Sequence, residues 1–171
     1  MKKTLIIALS CLVVLLAACK KPVEPTPEPV DYAPNYVGNY IGQFTLTINS
    51  MNNQTQSGLS FPIDGIKMDI AKGDKINDIT ATVTVENESH QTSGTTTAEK
   101  ADFGTVHLVI DKPDQNYYFN LDLMMEGKKA ESDTLNILGT FNGNGNFTLP
   151  TGELVQLNEV SGDLNGKLVK Q

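Results

Sequence analysis

From Tyr36 to the end of the chain, apolar side chains recur at every second position, and no stretch of helical length carries an apolar stripe at i, i+3 and i+4. The clearest run is Phe44, Leu46 and Ile48, with polar residues between them. An apolar residue at every second position is typical of a strand that buries one face and exposes the other. The sequence therefore predicts an all-β domain.

Further sets of alternating apolar residues follow the first strand. They lie, in chain order, within residues 66–70, 79–85, 106–110, 117–125, 135–141, 147–149, 155–157 and 164–168. The polar or charged segments 50–58, 86–100 and 126–133 are predicted to be loops, and Asn142-Gly143-Asn144-Gly145 a tight turn. Eight or nine strands with mostly short connections predict an antiparallel meander.

Without helices to cover them, the apolar faces can be buried only by closing the sheet into a barrel or by stacking two sheets. Gly42 falls on the apolar face of the first strand, and Gly162 and Gly166 fall on that of the last. Inward glycines relieve crowding where barrel strands bend. We therefore predict an up-and-down barrel, with a β-sandwich in which these glycines mark bulges as the alternative.

The N-terminus has the pattern of a cleaved leader. Lys2 and Lys3 precede an apolar run over residues 5–18, which is shorter than the roughly 20 residues of a spanning helix. At its end, Leu16-Ala17-Ala18-Cys19 resembles the lipobox of bacterial lipoproteins. The resemblance implies that signal peptidase II cuts before Cys19 and that the thiol of Cys19 carries a diacylglycerol. An ordinary signal peptide is the alternative.

A proline-rich stretch follows the lipobox, with prolines at five of the fifteen positions 20–34. Such a stretch is extended and unpacked, at about 3.1 Å per residue, so it predicts a tether up to roughly 45 Å long. The predicted division is a signal peptide over 1–18, a lipidated tether over 19–35 and a barrel domain over 36–171. Lys20 stands where enteric lipoproteins kept in the inner membrane carry aspartate, and this similarity implies the outer membrane, on either its periplasmic or its surface side.

The charge balance excludes nucleic acid as a partner. After the leader, 20 acidic residues stand against 11 lysines, and there is no arginine. Nucleic-acid binding requires a basic face, and recognition of phosphate generally uses the arginine fork. Since Cys11 leaves with the leader, Cys19 would be the only thiol, and an internal disulfide is impossible.

Candidate catalytic and metal-binding residues are few. His90 is predicted to lie in a polar loop and His107 on the outer face of a strand, and the spacing of the two fits no metal site. There is no Gly-x-Ser-x-Gly motif. We therefore expect neither enzymatic activity nor a cofactor. Asp133-Thr134-Leu135 resembles the O-glycosylation sequon of some anaerobic Gram-negative bacteria, which makes Thr134 a candidate modification site.

Two short motifs carry a family resemblance. The opening Tyr40-Ile41-Gly42-Gln43-Phe44-Thr45-Leu46 and the closing Gly162-Asp163-Leu164-Asn165-Gly166-Lys167-Leu168 resemble the calycin-like β-barrel lipoproteins of anaerobic Gram-negative bacteria, over about residues 36–170. The resemblance implies a lipocalin-type barrel with a small apolar ligand in its mouth. Unlike lipocalins proper, the chain has neither the tryptophan of the first strand nor the late arginine.

Two functions follow as hypotheses. The first is a non-enzymatic envelope lipoprotein that binds a small apolar or amphipathic ligand inside the barrel, unless these side chains simply fill it. The expected lining residues are Phe44, Leu46, Met68, Val83, Leu108, Phe119, Leu121 and Phe141. The second is a module that binds an envelope protein or glycan through the polar loops 50–58 and 86–100.

Overall fold

The chain forms a closed, eight-stranded antiparallel barrel in a computed structural model that describes residues 27–131 and 133–171. The leader, the lipobox, Cys19 and the first part of the tether lie outside these residues. Each strand pairs with its neighbours in sequence, and β8 pairs with β1 to close the ring. The strands are β1 (Gly38–Met51), β2 (Gln54–Lys72), β3 (Asp78–Val85), β4 (Glu88–Thr96), β5 (Ala101–Lys112), β6 (Tyr117–Glu131), β7 (Thr134–Thr148) and β8 (Leu154–Lys170).

This topology confirms the predicted meander and the barrel, and the sandwich alternative is wrong. The β1–β8 ladder runs from Tyr40 opposite Lys170 to Met51 opposite Val160, so no sheet edge remains between the first and last strands. The core lies inside this ring. Seven of the strands contribute several buried residues each, and β4 contributes only Thr96. Every strand pairs within residues 38–170, so the barrel is complete within the described residues.

Four phenylalanine rings fit into the barrel because each faces a glycine on a neighbouring strand. A Cβ atom placed on the glycine would lie 2.5 to 2.8 Å from a ring carbon, closer than any real contact. The pairs are Phe44 with Gly166, Phe141 with Gly162, Phe119 with Gly145, and Phe103 with Gly127. Aromatic side chains of this size fit in a narrow barrel only where the facing position is empty. Of the inward glycines predicted from the sequence, Gly162 and Gly166 therefore accommodate rings, whereas a Cβ on Gly42 would meet the backbone of Lys167 and Leu168.

The predicted loops are too long, because polar strands continue through them. Segment 50–58 contains the end of β1, a two-residue turn at Asn52 and Asn53, and the start of β2; segment 86–100 contains the whole of β4. Segment 126–133 belongs mostly to β6, and the predicted turn 142–145 lies within β7, whose ladder with β8 has a register shift between Gly143 and Gly145. Hydrogen bonding to neighbouring strands holds these residues extended even though their side chains lack the apolar alternation.

Alternating connections give the barrel two distinct ends. The tether end contains the start of β1, the end of β8 and the connections around residues 72–78, 96–101 and 131–134. The far end contains the turns at 51–54, 85–88, 112–117 and 148–154.

The last residues of the predicted tether pack onto the barrel and close its tether end. A 3-10 turn over Ala33–Asn35 places Ala33 in the core, and the Tyr40 hydroxyl donates to the carbonyl of Tyr36 at 2.9 Å. Asp31 pairs with Lys72 and accepts the backbone N–H of Asn77 at 3.2 Å. The predicted tether is therefore too long at its C-terminal end, because residues 31–35 bury apolar surface and satisfy polar groups there.

Candidate functional site

The eight residues predicted to line a ligand cavity all lie inside the barrel, and their exposure is 0 to 2%. A side chain beside a void large enough for water keeps some accessible surface toward that void. Phe44, Leu46, Met68, Val83 and Leu108 have none. Around these residues the interior is close-packed, so a ligand would have to bind elsewhere or displace part of the core.

The far end of the barrel is more open and is also apolar. Five partly buried hydrophobic side chains surround this mouth, namely Met51, Leu59, Phe61, Leu149 and Val155. The Phe61 ring lies 4.9 Å from that of Phe119 and 5.3 Å from that of Tyr117, both at edge-to-face angles. The Tyr117 hydroxyl donates to the carbonyl of Pro62 at 2.9 Å, and burial raises the pKa of Tyr117, which keeps it a donor.

The barrel wall is weakest between β4 and β5. Their ladder contains two residue pairs, Thr95 with Asp102 and Thr96 with Ala101, whereas each other ladder contains six to fourteen. A bulge in β5 breaks the ladder: between Asp102 and Thr105, two residues stand opposite one on β6, and Gly104 there has a φ of 63°. We call the region between β4 and β5, from this bulge to the far end of the barrel, the seam.

Side chains occupy the seam where backbone hydrogen bonds would otherwise join the strands. The Thr92 hydroxyl lies 2.7 Å from the carbonyl oxygen of Phe103 and 3.2 Å from that of Thr105. The His90 ring lies 6.4 Å from that of His107, centre to centre, and its buried Nε2 has no hydrogen-bond partner in the described part of the chain. His90 is thus a strand residue with a largely buried side chain, and its predicted position in a solvated loop is wrong.

The seam ends in an acidic cleft of about 460 Å³ at the far end of the barrel. Val85, Val109 and Pro113 are the apolar members of its lining, and the carboxylates of Glu86, Glu88, Asp111 and Asp114 surround it. Lys112 pairs with Glu86 at 2.6 Å, so three of the four carboxylates lack a lysine partner within the described residues. The cleft is therefore suited to cationic groups.

The remaining predicted site residues are separated from one another. Thr134 begins β7 at the tether end and is half-buried, and its predicted glycosylation stays a prediction. His107 lies on the outer face, where its Nδ1 is 2.9 Å from Oδ1 of Asp122. The described residues contain no group of three or more His, Cys, Asp or Glu side chains placed to hold a metal ion. They also contain no helix of sufficient length and apolarity to cross a membrane.

Sequence reasoning missed the seam because β4 carries no apolar alternation. The side chains that face inward or into the seam are His90, Thr92, Gly94 and Thr96, a set that resembles a loop in composition. One signal was available: Glu86-Asn87 lies between Val85 and an extended polar run, as in a two-residue hairpin turn. Glu86 has the positive φ of 56° that such a turn requires.

The fold and the seam define a closed antiparallel barrel with one weakly paired wall. No protein-family model matches the chain, and no curated protein does. Among solved structures it is similar to a redesigned β-barrel, at 16% identity and a TM-score of 0.41, over 81% of this chain and 94% of the designed chain.

Proposed function

We propose that the protein is a non-enzymatic lipoprotein of the cell envelope, anchored to the outer membrane through Cys19, that binds another envelope protein at the outside of its barrel. The observation that carries the proposal is the close-packed interior, where the predicted lining residues are at most 2% exposed. This packing favours a site on the wall over one inside. The Leu16-Ala17-Ala18-Cys19 sequence and the proline-rich tether support the anchor.

The polar hairpins replace the polar loops in this proposal. The segments 50–58 and 86–100 were expected to bind a partner as polar loops, but they consist of strands and turns. Binding through them would therefore use preformed surfaces, which reduces the entropy lost on association. Of the two segments, 86–100 borders the acidic cleft.

The anchor is tested by mass spectrometry of the N-terminal peptide from membranes of cells that express the full chain. We expect a peptide that begins at Cys19 and carries a diacylglycerol, together with a membrane-bound protein. Cys19→Ala should abolish both, and Cys11→Ala, a cysteine change within the leader, should leave both unchanged. Cleavage at another position, with an unmodified thiol at Cys19, would contradict the proposal.

A second candidate function is the binding of a small apolar or amphipathic ligand at the far-end mouth. The five partly buried apolar side chains around Phe61 favour it, because they offer apolar surface without displacement of the core. Native mass spectrometry after incubation with a lipid extract should then show a discrete added mass. Phe61→Asn should remove this mass, whereas Leu138→Asn, at an exposed apolar residue on the outer wall, should retain it. Only the bare mass from folded protein would exclude this candidate.

A further inference from the structure

We propose that β4 binds an extended segment of another protein, rich in lysine or arginine, which adds to the sheet as a strand along the seam. This inference identifies the binding surface of the proposed envelope lipoprotein. It follows from three features of the seam: a strand edge without a ladder partner, a cleft that can receive side chains, and the charge of that cleft.

The first feature is the edge of β4 over residues 88–91, before Thr92 bridges to β5. The pair next to a two-residue turn is hydrogen-bonded, and hydrogen-bonded pairs alternate along an antiparallel ladder. Val85 and Glu88 flank the Glu86-Asn87 turn, and His90 stands opposite Val83. The residues between, Ser89 and Gln91, therefore turn their backbone groups toward β5, with which they form no ladder pair. Both also have exposed side chains.

The second feature is the cleft at the far end of that edge. A strand added to a sheet gains affinity from backbone hydrogen bonds and specificity from pockets that receive alternate side chains. The cleft provides such a pocket, with Val85 and Val109 in its lining. An apolar side chain of the added strand could contact Val109 and Pro113, which keep accessible surface, while its neighbours point to the rim.

The third feature is the charge of the rim, which selects the occupant. Glu88, Asp111 and Asp114 carry carboxylates without a lysine partner among the described residues, and Oε2 of Glu88 lies 3.8 Å from Nε2 of His90. Charges of like sign that face each other across a ladder are destabilising. A second copy of this chain, paired through the same edge, would bring two such clusters together. A strand with lysine or arginine beside its apolar residues has the complementary charge and would associate faster.

The test uses the mature chain from residue 19 to Gln171 with Cys19→Ser, so that lipidation does not affect the result. The probe is a nine-residue peptide of alternating lysine and valine with blocked ends, titrated by NMR. We expect saturable shifts in the amides of residues 88–93 and 105–111. A peptide of alternating glutamate and valine should produce none.

Two changes separate strand addition from simple charge attraction. Gln91→Pro removes the N–H that faces the seam and should weaken binding at least tenfold, because proline is tolerated on an edge but cannot donate. Gln91→Ala keeps that N–H and should stay within twofold of the original protein. Methylation of alternate backbone nitrogens in the peptide should also weaken binding at least tenfold. That second change leaves the protein intact, so the result holds even if Gln91→Pro fails to fold.

Three results would overturn the proposal. The first is equal binding of the methylated and unmethylated peptides, which would mean that charge alone attracts them. The second is the absence of shifts in the seam at millimolar peptide. The third is concentration-dependent self-association that maps to β4 without peptide, which would make a second copy the occupant. None of these results bears on the lipid anchor, because the titrated protein carries Cys19→Ser. Conversely, an unmodified Cys19 in cells would contradict the anchor and would leave the result of the peptide titration unchanged.

Discussion

Phe44 and Gly166 form the tightest of the ring-glycine pairs in the barrel. The two residues stand opposite each other in the β1–β8 ladder, and Phe44 has no accessible surface. Its ring therefore has no free space into which it could move if a methyl group appeared on Gly166. The pairing shows at the scale of one residue why the last strand carries glycine on its buried face.

Gly166→Ala should destabilise the barrel by about 1–3 kcal/mol, the usual cost of excess volume in a packed core. The measurement is the urea midpoint of unfolding followed by circular dichroism. Asn165→Ala, at the exposed neighbouring position, should change the free energy of unfolding by less than about 0.5 kcal/mol.

A double-mutant cycle locates the cause of this effect. If the cost of Gly166→Ala arises from the Phe44 ring, it should shrink in a Phe44→Leu background, because leucine leaves room for the new methyl group. An undiminished cost in that background would place the strain in the backbone of β8 instead.

The turn between β1 and β2 belongs to the scale of the element, because it fixes the register of two long strands. Asn52 and Asn53 have φ values of 49° and 64°, the left-handed conformation that both positions of this kind of turn require. Asn52 also joins the turn to β8. Its Nδ2 donates to the carbonyl of Gln156 at 3.0 Å, and its Oδ1 accepts the N–H of Asn158 at 2.8 Å.

Substitution of each asparagine by glycine separates these two roles. Glycine adopts positive φ without strain, so Asn53→Gly should leave stability unchanged or raise it slightly. Asn52→Gly keeps the turn conformation but loses the side-chain bonds to β8, at a cost of about 1–3 kcal/mol. Thermal unfolding of the two variants side by side is the measurement. Equal midpoints would show that the bonds to β8 contribute nothing to stability.

The elements also show how far the sequence predicts this fold. Strands such as β3, with Ile79, Ala81 and Val83 inside, follow directly from apolar alternation, and the meander and barrel follow from their number. Strand β4 does not, because its extended form is imposed by pairing with β3 and not by its own side chains. The candidate site depends on β4 and on the bulge at Gly104, so it is visible only in three dimensions.

At the scale of the whole molecule, both ends of the barrel carry an excess of negative charge. The far-end turns, residues 51–54, 85–88, 112–117 and 148–154, contain four side-chain carboxylates and one lysine. The tether-end segments, residues 31–38, 72–78, 96–101, 131–134 and 169–171, contain six side-chain carboxylates and four lysines. An anionic membrane surface would therefore repel either end of the barrel.

The attachment of the tether segment to the barrel should depend on pH. Lys72, which donates to Asp31, lowers the pKa of that carboxyl, and the N–H groups of Asn77 and Ala33 act in the same direction. A carboxyl with a lowered pKa stabilises the folded state above its usual pKa, and this stabilisation is lost as pH falls through the lowered value. The attachment of residues 31–36 should therefore weaken below pH 3.8, the usual value for this group.

Amide hydrogen exchange of Tyr32 and Ala33 across this pH range, corrected for the intrinsic rates, is the measurement. Their protection should fall with pH in the original chain. In Asp31→Asn it should be lower at neutral pH and should change little with pH. Glu28→Asn, at an exposed residue three positions earlier, should behave like the original chain.

The ladder between β1 and β8 has a consequence for the kinetics of folding. It joins residues more than a hundred positions apart, and contacts of such separation slow folding because a long loop must close before they form. A chain that emerges N-terminus first cannot complete the ring until its last strand has appeared. During that delay β1 is an open edge, liable to pair with other chains. The production of this protein is therefore expected to depend on whatever shields β1 until β8 arrives.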